Sequence, residues 1–277
     1  MGSSFCRTSS TYKVQAVLDA ESVGAALERE DAWSIHVTDE VASTNDAVLD
    51  LPVGSETVGT VLFAERQTAG RGRRGNVWFG GPPESNLLFS CRVRPAWPLR
   101  DWGRLTHLTA LALKRALEGY PPASPLVKWP NDLYLGDRKV SGILAETKMQ
   151  GGGDASAVIG VGVNVNVQQD ELPEEIRDLA TSLREVTGTW IDRVGLAAGI
   201  LDRLSDILSS PAEAFAKQLA ELEKAHYLLG KSVRARLGVK IIEGTAIDLG
   251  SEGELVLDVG GGKRCVLASA DEVRVRR

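Results

Sequence analysis

Arginine and glycine alternate through residues 70–75, Gly-Arg-Gly-Arg-Arg-Gly, and the chemistry open to such a stretch is anion capture. Arg71, Arg73 and Arg74 repel one another unless an anion or carboxylates neutralise them, and guanidinium forks match phosphate oxygens. Gly70, Gly72 and Gly75 leave the backbone free to approach a ligand and to close over it. The spacing also satisfies G-x-G-x-x-G. A dinucleotide-binding turn, however, needs a helix directly after the third glycine and an acid about 20 residues further on. Asn-Val-Trp-Phe-Gly-Gly-Pro-Pro follows instead, and residues 90–97 contain no acid. The pattern extends through Val77 to that of a kinase glycine loop, but no H-R-D or D-F-G comes later. Taken alone, the loop is either an anion clamp or a solvated basic turn.

Three further stretches carry polar groups in useful places. In Val-Ile-Gly-Val-Gly-Val-Asn-Val-Asn-Val, 158–167, strand alternation puts Ile159, Val161, Val163, Val165 and Val167 on one face. Gly160, Gly162, Asn164 and Asn166 fall on the other, which either faces a ligand or packs under a bulky helix. Lys128 and Lys139 flank a turn built on Asn131 and Asp132, with Gly142 leaving space beside Lys139. Two lysines there fit an anionic polyphosphate, although a strand lysine is commonly a solvated edge charge. Ser43-Thr44-Asn45-Asp46 reads as a helix start, with Ser43 or Thr44 as the cap. Hydroxyl and amide groups there also suit a ureido or amide ligand.

The elements that must hold these groups alternate strands and helices. Strands are expected at 33–37, 57–65, 86–95, 126–129 and 157–167, and a hairpin turning at Gly136-Asp137 within 132–147. Helices are expected at 21–30, from Ser43 to Leu51, at 104–119, and at about 193–208 and 211–226. Beyond Gly230 the texture becomes short alternating strands punctuated by glycine, the mark of a small β-barrel or sandwich. The 277 residues divide accordingly into a leader at 1–31, a main domain at 32–228 and a C-terminal domain at 229–277.

Composition narrows the function classes. A net charge of −5 argues against general nucleic-acid or membrane-surface binding. Cys6, Cys91 and Cys265 lie far apart with no C-x-x-C, so neither a disulfide framework nor a zinc site is expected. His36, His107 and His226 are isolated. With no signal peptide and no apolar run long enough to span a bilayer, the expected location is the cytoplasm.

Together these stretches resemble the biotin–protein ligases of the bacterial type. The family's S-T-N motif matches Ser43 to Asn45, its G-R-G-R-x-G loop matches Gly70 to Gly75, and its K-W-P-N-D-L segment matches Lys128 to Leu133. Its R-K-x-x-G-I-L-x-E segment matches Arg138 to Glu146, and its G-x-G-x-N strand matches Gly160 to Asn164. All five occur in family order within residues 33–167. The resemblance implies an α+β fold: a mixed sheet with helices like the core of class II aminoacyl-tRNA synthetases, followed by a small Src-homology-3-like barrel. Family members that also repress transcription carry an N-terminal winged helix. The leader here is too short for one, so a ligase without repressor activity is expected.

By the same resemblance, biotin's carboxylate attacks the α-phosphate of magnesium-ATP. A lysine of a biotin carboxyl carrier protein, that of acetyl-CoA carboxylase first among them, then takes the acyl group. Ser43, Thr44, Asn45, Gln67, Gly72 and Gly142 would hold biotin. Arg71, Arg73 and Lys139 would bind it and stabilise the reacting groups. Arg74, Trp78, Lys128, Asn131, Asn164 and Arg276 would face ATP, while the magnesium ligands and the general base stay unassigned. Lipoate–protein ligase is the rival enzyme, a nucleic-acid-binding module the rival from another class, and a homodimer paired through sheet edges is one expectation.

Overall fold

A computed structural model of the chain describes residues 17–29, 32–149 and 154–276. Most of the leader, Cys6 and the glycines of 151–153 lie outside the described residues. The first expected helix is present as α1, Ala20–Ala26, started by Asp19, whose side chain accepts from Ser22 N.

Seven strands make the main sheet: β1 Ser34–Val41, β2 Thr60–Gln67, β3 Leu87–Val93, β4 Pro125–Lys128, β5 Asp132–Leu135, β6 Arg138–Met149 and β7 Ala155–Val163. Their spatial order is β1-β2-β3-β7-β6-β5-β4. Only β1 and β2 are parallel, and parallel neighbours need a crossover. Helix α2, Thr44–Asp50, lies in that crossover, so its first residues emerge just beyond the end of β1. Every residue of β3 and of β7 is buried at the centre of the sheet.

One face is covered by α3, Leu105–Leu117, and α6, Arg193–Leu208, which pack on each other. Leu105, Leu108, Leu111, Leu113 and Leu117 of α3 are all buried there. The opposite face carries α2 against β2, β3 and β7 and is otherwise open. Helix α7, Phe215–Lys224, falls within the expected 211–226, whereas the short helices α4, Glu174–Arg177, and α5, Leu183–Thr187, were not expected.

The long strand expected at 157–167 is shorter at its C-terminal end. β7 stops at Val163 because Asn164 N bonds instead to Val140 O at 2.8 Å and Asn166 N to Ser85 O at 2.6 Å.

A second, wholly antiparallel sheet follows: β8 Ser232–Leu237, β9 Lys240–Leu249, β10 Leu255–Asp258, β11 Arg264–Leu267 and β12 Glu272–Val275, in order β11-β10-β9-β8-β12. The chain reaches it along the free edge of β4, where Val127 N donates to Ala225 O and Tyr227 N to Val127 O, each at 2.8 Å. The two sheets meet again at Gly253. Trp129 Nε1 donates to its carbonyl at 3.0 Å. A Cβ on Gly253 would stand 2.5 Å from the His107 ring, and its φ of +89° disfavours any side chain. Among the described residues no helix is long and apolar enough to cross a membrane.

Candidate active site

The open face of the main sheet holds a cleft of about 890 Å³. Its floor is β7 and β6, one wall is the start of α2, another is the loop 70–78, and the second sheet closes one end.

The α2 wall is a buried network of hydroxyls and amides. Ser43 caps the helix by accepting from Asp46 N at 3.3 Å. Gln67 Oε1, at the end of β2, accepts from Thr44 N at 2.8 Å and lies 3.2 Å from Thr44 Oγ1. Ser90 Oγ lies 2.7 Å from Thr44 Oγ1 and 2.6 Å from Asn45 Oδ1. Asn45 Nδ2 donates to Leu144 O at 3.2 Å and to Glu146 Oε2 at 2.8 Å. Gly160 exists because of this network: a Cβ there would stand 2.0 Å from Asn45 Oδ1.

Loop 70–78 folds into a tight hairpin, with Gly72 N bonding to Asn76 O at 2.7 Å and Trp78 N to Gly70 O at 3.0 Å. That geometry sends its three arginines in different directions. Arg71 bridges Asp46, at 2.5 and 3.2 Å, and Glu146, at 3.0 and 3.4 Å, and its bond to Asp46 raises its pKa. Arg73 points into the cleft. It donates to Asn131 Oδ1 at 3.4 Å, and no carboxylate among the described residues reaches ion-pair distance of it. Burial and then the neighbouring Arg74 charge lower its pKa, the state expected of a cation waiting for an anion. Arg74, expected to face ATP, turns away and pairs with Asp271 of the second sheet.

Lys139 Nζ reaches Asp132 Oδ1 at 2.6 Å and stands 5.3 Å from the Trp78 ring centroid. The Trp78 indole lies over the glycine floor. A Cβ on Gly162 would stand 2.3 Å from it, and one on Gly142 2.9 Å. Its Nε1 is buried with no partner. Lys128 Nζ donates to Tyr134 Oη at 3.0 Å; burial lowers the lysine's pKa and raises the tyrosine's to about 12. Asn131 Nδ2 donates to Ile143 O at 2.8 Å, fixing the turn after Lys128 against β6.

The cleft therefore gathers Ser43, Thr44, Asn45, Gln67, Arg71, Gly72, Arg73, Trp78, Lys128, Asn131, Lys139 and Gly142 of the expected residues. Three others lie elsewhere. Arg74 is engaged as above. Asn164 follows the end of β7, so alternation no longer aims it, and its Nδ2 donates to Thr181 O at 3.0 Å. Arg276, past the end of β12, pairs with Glu243 at 3.0 Å; Lys231, Arg236 and Arg274 line the cleft from that side. Sequence reasoning missed Asp46, Ser90, Glu146 and Asp271. Ser90 left a signal, a polar residue inside Leu-Leu-Phe-Ser-Cys, and Asp46 and Glu146 each close a quoted motif.

Residues 37–164 match the model of the biotin/lipoate A/B protein ligase family. The chain is 34% identical over 245 residues to the biotin–[acetyl-CoA-carboxylase] ligase of Mycobacterium tuberculosis, covering 86% of this chain and 88% of that protein. It is 32% identical over 240 residues to the bifunctional ligase/repressor BirA of Bacillus spizizenii, covering 85% of this chain and 72% of that one. It superposes with a TM-score of 0.73 on the biotin protein ligase of Aquifex aeolicus in complex with biotin and ATP, at 30% identity, over 88% of this chain and 99% of that one. The chain belongs to the biotin/lipoate A/B protein ligase family. Within it, these relatives are biotin ligases.

Proposed function

We propose that the chain is a biotin–protein ligase, forming biotinyl-5′-AMP from biotin and ATP and passing the biotinyl group to a lysine of a biotin carboxyl carrier protein. The observation that carries this reading is the division of one cleft. Hydroxyl and amide groups at α2 suit a ureido ring. Further along the same cleft, Arg73 and Lys139 suit a carboxylate becoming a phosphoanhydride.

In the first step a carboxylate oxygen of biotin bonds to the α-phosphorus, the bond to the bridging oxygen breaks, and pyrophosphate leaves. Arg73 and Lys139 stabilise the charge on the oxygens of the phosphorus undergoing exchange, work that positioning and fixed cations can do without a protein nucleophile. Arg71, Gly72 and Gly142 complete the contact with biotin's chain and carboxylate. Lys128, Asn131 and Trp78 face the nucleotide. Magnesium would come with the triphosphate, since among the described residues no group of three or more His, Cys, Asp or Glu side chains is placed to hold an ion. In the second step the deprotonated amine of the carrier lysine attacks the acyl carbon and AMP leaves with the electron pair of the broken C–O bond. The loop 70–78 keeps water from the anhydride meanwhile.

The main sheet, residues 32–228, is read as a class II synthetase-like catalytic domain, and residues 229–277 as a Src-homology-3-like barrel. A cytoplasmic location and pairing into a homodimer belong to the same reading. The test is direct: the protein is mixed with biotin, magnesium-ATP and a carrier domain, and the carrier is weighed. Addition of one biotinyl group is expected. No mass change, or tighter calorimetric binding of lipoate than of biotin, overturns the reading.

A further inference from the structure

Strand β3 holds helix α2 at both ends. Ser90 and Arg92 are two residues apart and so project from the same face of the strand. Ser90 meets Thr44 and Asn45 at the start of the helix, at 2.7 and 2.6 Å. Arg92 meets its far end: the guanidinium donates to Val48 O, to Leu51 O at 3.1 Å, to Pro52 O at 2.8 Å and to Thr57 Oγ1 at 3.3 Å. A second cation comes from β6, where the Lys148 ammonium donates to Leu49 O and, at 3.3 Å, to Leu51 O.

Arg92 is 0% exposed and has no carboxylate partner among the described residues. Burying a guanidinium is costly, and an apolar side chain of like volume commonly serves stability as well. What an apolar side chain cannot do is fix the helix's last carbonyls in place. The start of α2 has no slack to absorb movement, because Asn45 Oδ1 already fills the space a Cβ on Gly160 would need, 2.0 Å away. The two holds act on opposite ends of one seven-residue helix.

We propose that Arg92, assisted by Lys148, is a positioning residue that sets biotin affinity by fixing the axial placement of α2 and hence of Thr44 and Asn45 in the cleft. The inference rests on the ligase reading above and adds to it a residue that never touches substrate. It separates biotin from ATP, because Lys128 and Asn131, which face the nucleotide, bond to Tyr134 and to Ile143 O and make no hydrogen bond to Arg92 or α2.

The experiment measures biotin-dependent pyrophosphate release for the wild type, Arg92→Met and Arg92→Lys, with thermal melts alongside. Arg92→Met should raise KM for biotin about tenfold, the scale of one lost charged hydrogen bond. Its KM for ATP and its kcat should stay within about twofold of wild type, and Arg92→Lys, which keeps a donor cation, should recover part of the loss. A biotin KM unchanged in Arg92→Met, or biotin and ATP constants rising together, overturns the proposal. If Arg92→Met does not fold, Lys148→Met is measured in its place, and an unchanged biotin KM there overturns the proposal equally. Wild-type protein that releases no pyrophosphate would instead sink the ligase reading itself.

Discussion

Arg74 of the cleft loop and Asp271, just before β12, form an ion pair that ties the loop to the second sheet. Asp271 is held ready for it: the side chain is 7% exposed, its Oδ2 accepts from Gly238 N at 2.5 Å, and Arg236 lies 3.5 Å away. Arg74 reaches it from a backbone φ of +57°, an uncommon angle for a residue with a side chain. On the proposed mechanism the pair latches loop 70–78 over the anhydride. Asp271→Asn keeps an acceptor for Gly238 and removes the charge. It should increase release of free biotinyl-adenylate about fivefold, the worth of a half-exposed ion pair. The check is chromatographic measurement of adenylate in solution after a single turnover without carrier; release equal to wild type would deny the latch.

Lys139 and Asp132 stand 2.6 Å apart, so the lysine proposed to face the reacting groups is aimed by a neighbouring carboxylate. Lys139→Ala should slow pyrophosphate release by about 2.7–4 kcal/mol of barrier, the scale of a lost transition-state donor. Asp132→Asn should cost much less, because it keeps the cation and loosens only its aim. Rapid-quench rates of the first step compare the two, and a Lys139→Ala rate near that of wild type would take the residue out of the chemistry.

Much of this was legible in the sequence because the chemistry sits in contiguous motifs. Ser43 to Asn45, Arg71 to Arg73, Lys128 to Asp132, Lys139 and Gly142 all reach the same cleft. The misplacements have a common cause. Arg74, Asn164 and Arg276 belong to those motifs or follow the second sheet's last strand, yet each found a partner far away in sequence: Asp271, Thr181 and Glu243. Strand periodicity could not forewarn of Asn164, because it gives the face of a residue only while the ladder lasts, and β7 ends one residue earlier. Arg92 was hidden for the opposite reason: an arginine in an apolar strand reads as a charge at an edge, whereas helix carbonyls brought by the fold make its burial tolerable.

Gly160 and Asn45 give a prediction that needs no charge. A methyl group at 160 would overlap the Asn45 carboxamide, and Asn45 cannot swing aside without leaving Leu144 O, Glu146 and Ser90. Gly160→Ala should raise the biotin dissociation constant about tenfold to a hundredfold, as 1–3 kcal/mol of overpacking would. ATP binding should change little. Titration calorimetry with each ligand separates the effects, and equal losses for both would mean that the sheet, rather than Asn45, had moved.

Acid should loosen the junction of the two sheets before it reaches the cleft. His107, on α3 against Gly253, and His226, in the connection beside β4, both have their pKa pushed from 6.5 down to about 4 by burial. His226 Nδ1 accepts from Leu228 N at 3.2 Å, a bond available only to the unprotonated ring nitrogen. The folded chain thus keeps both rings neutral where the unfolded chain takes up protons. Their contribution to stability is complete above pH 6.5 and is lost as pH falls from 6.5 towards 4. The melting temperature should fall across that window, and fall less in His107→Gln/His226→Gln. Trp129, bonded to Gly253 O, supplies the local readout: its fluorescence should change with the same midpoint as the melt. Parallel curves for wild type and the double variant would place the acid sensitivity in the carboxylates instead.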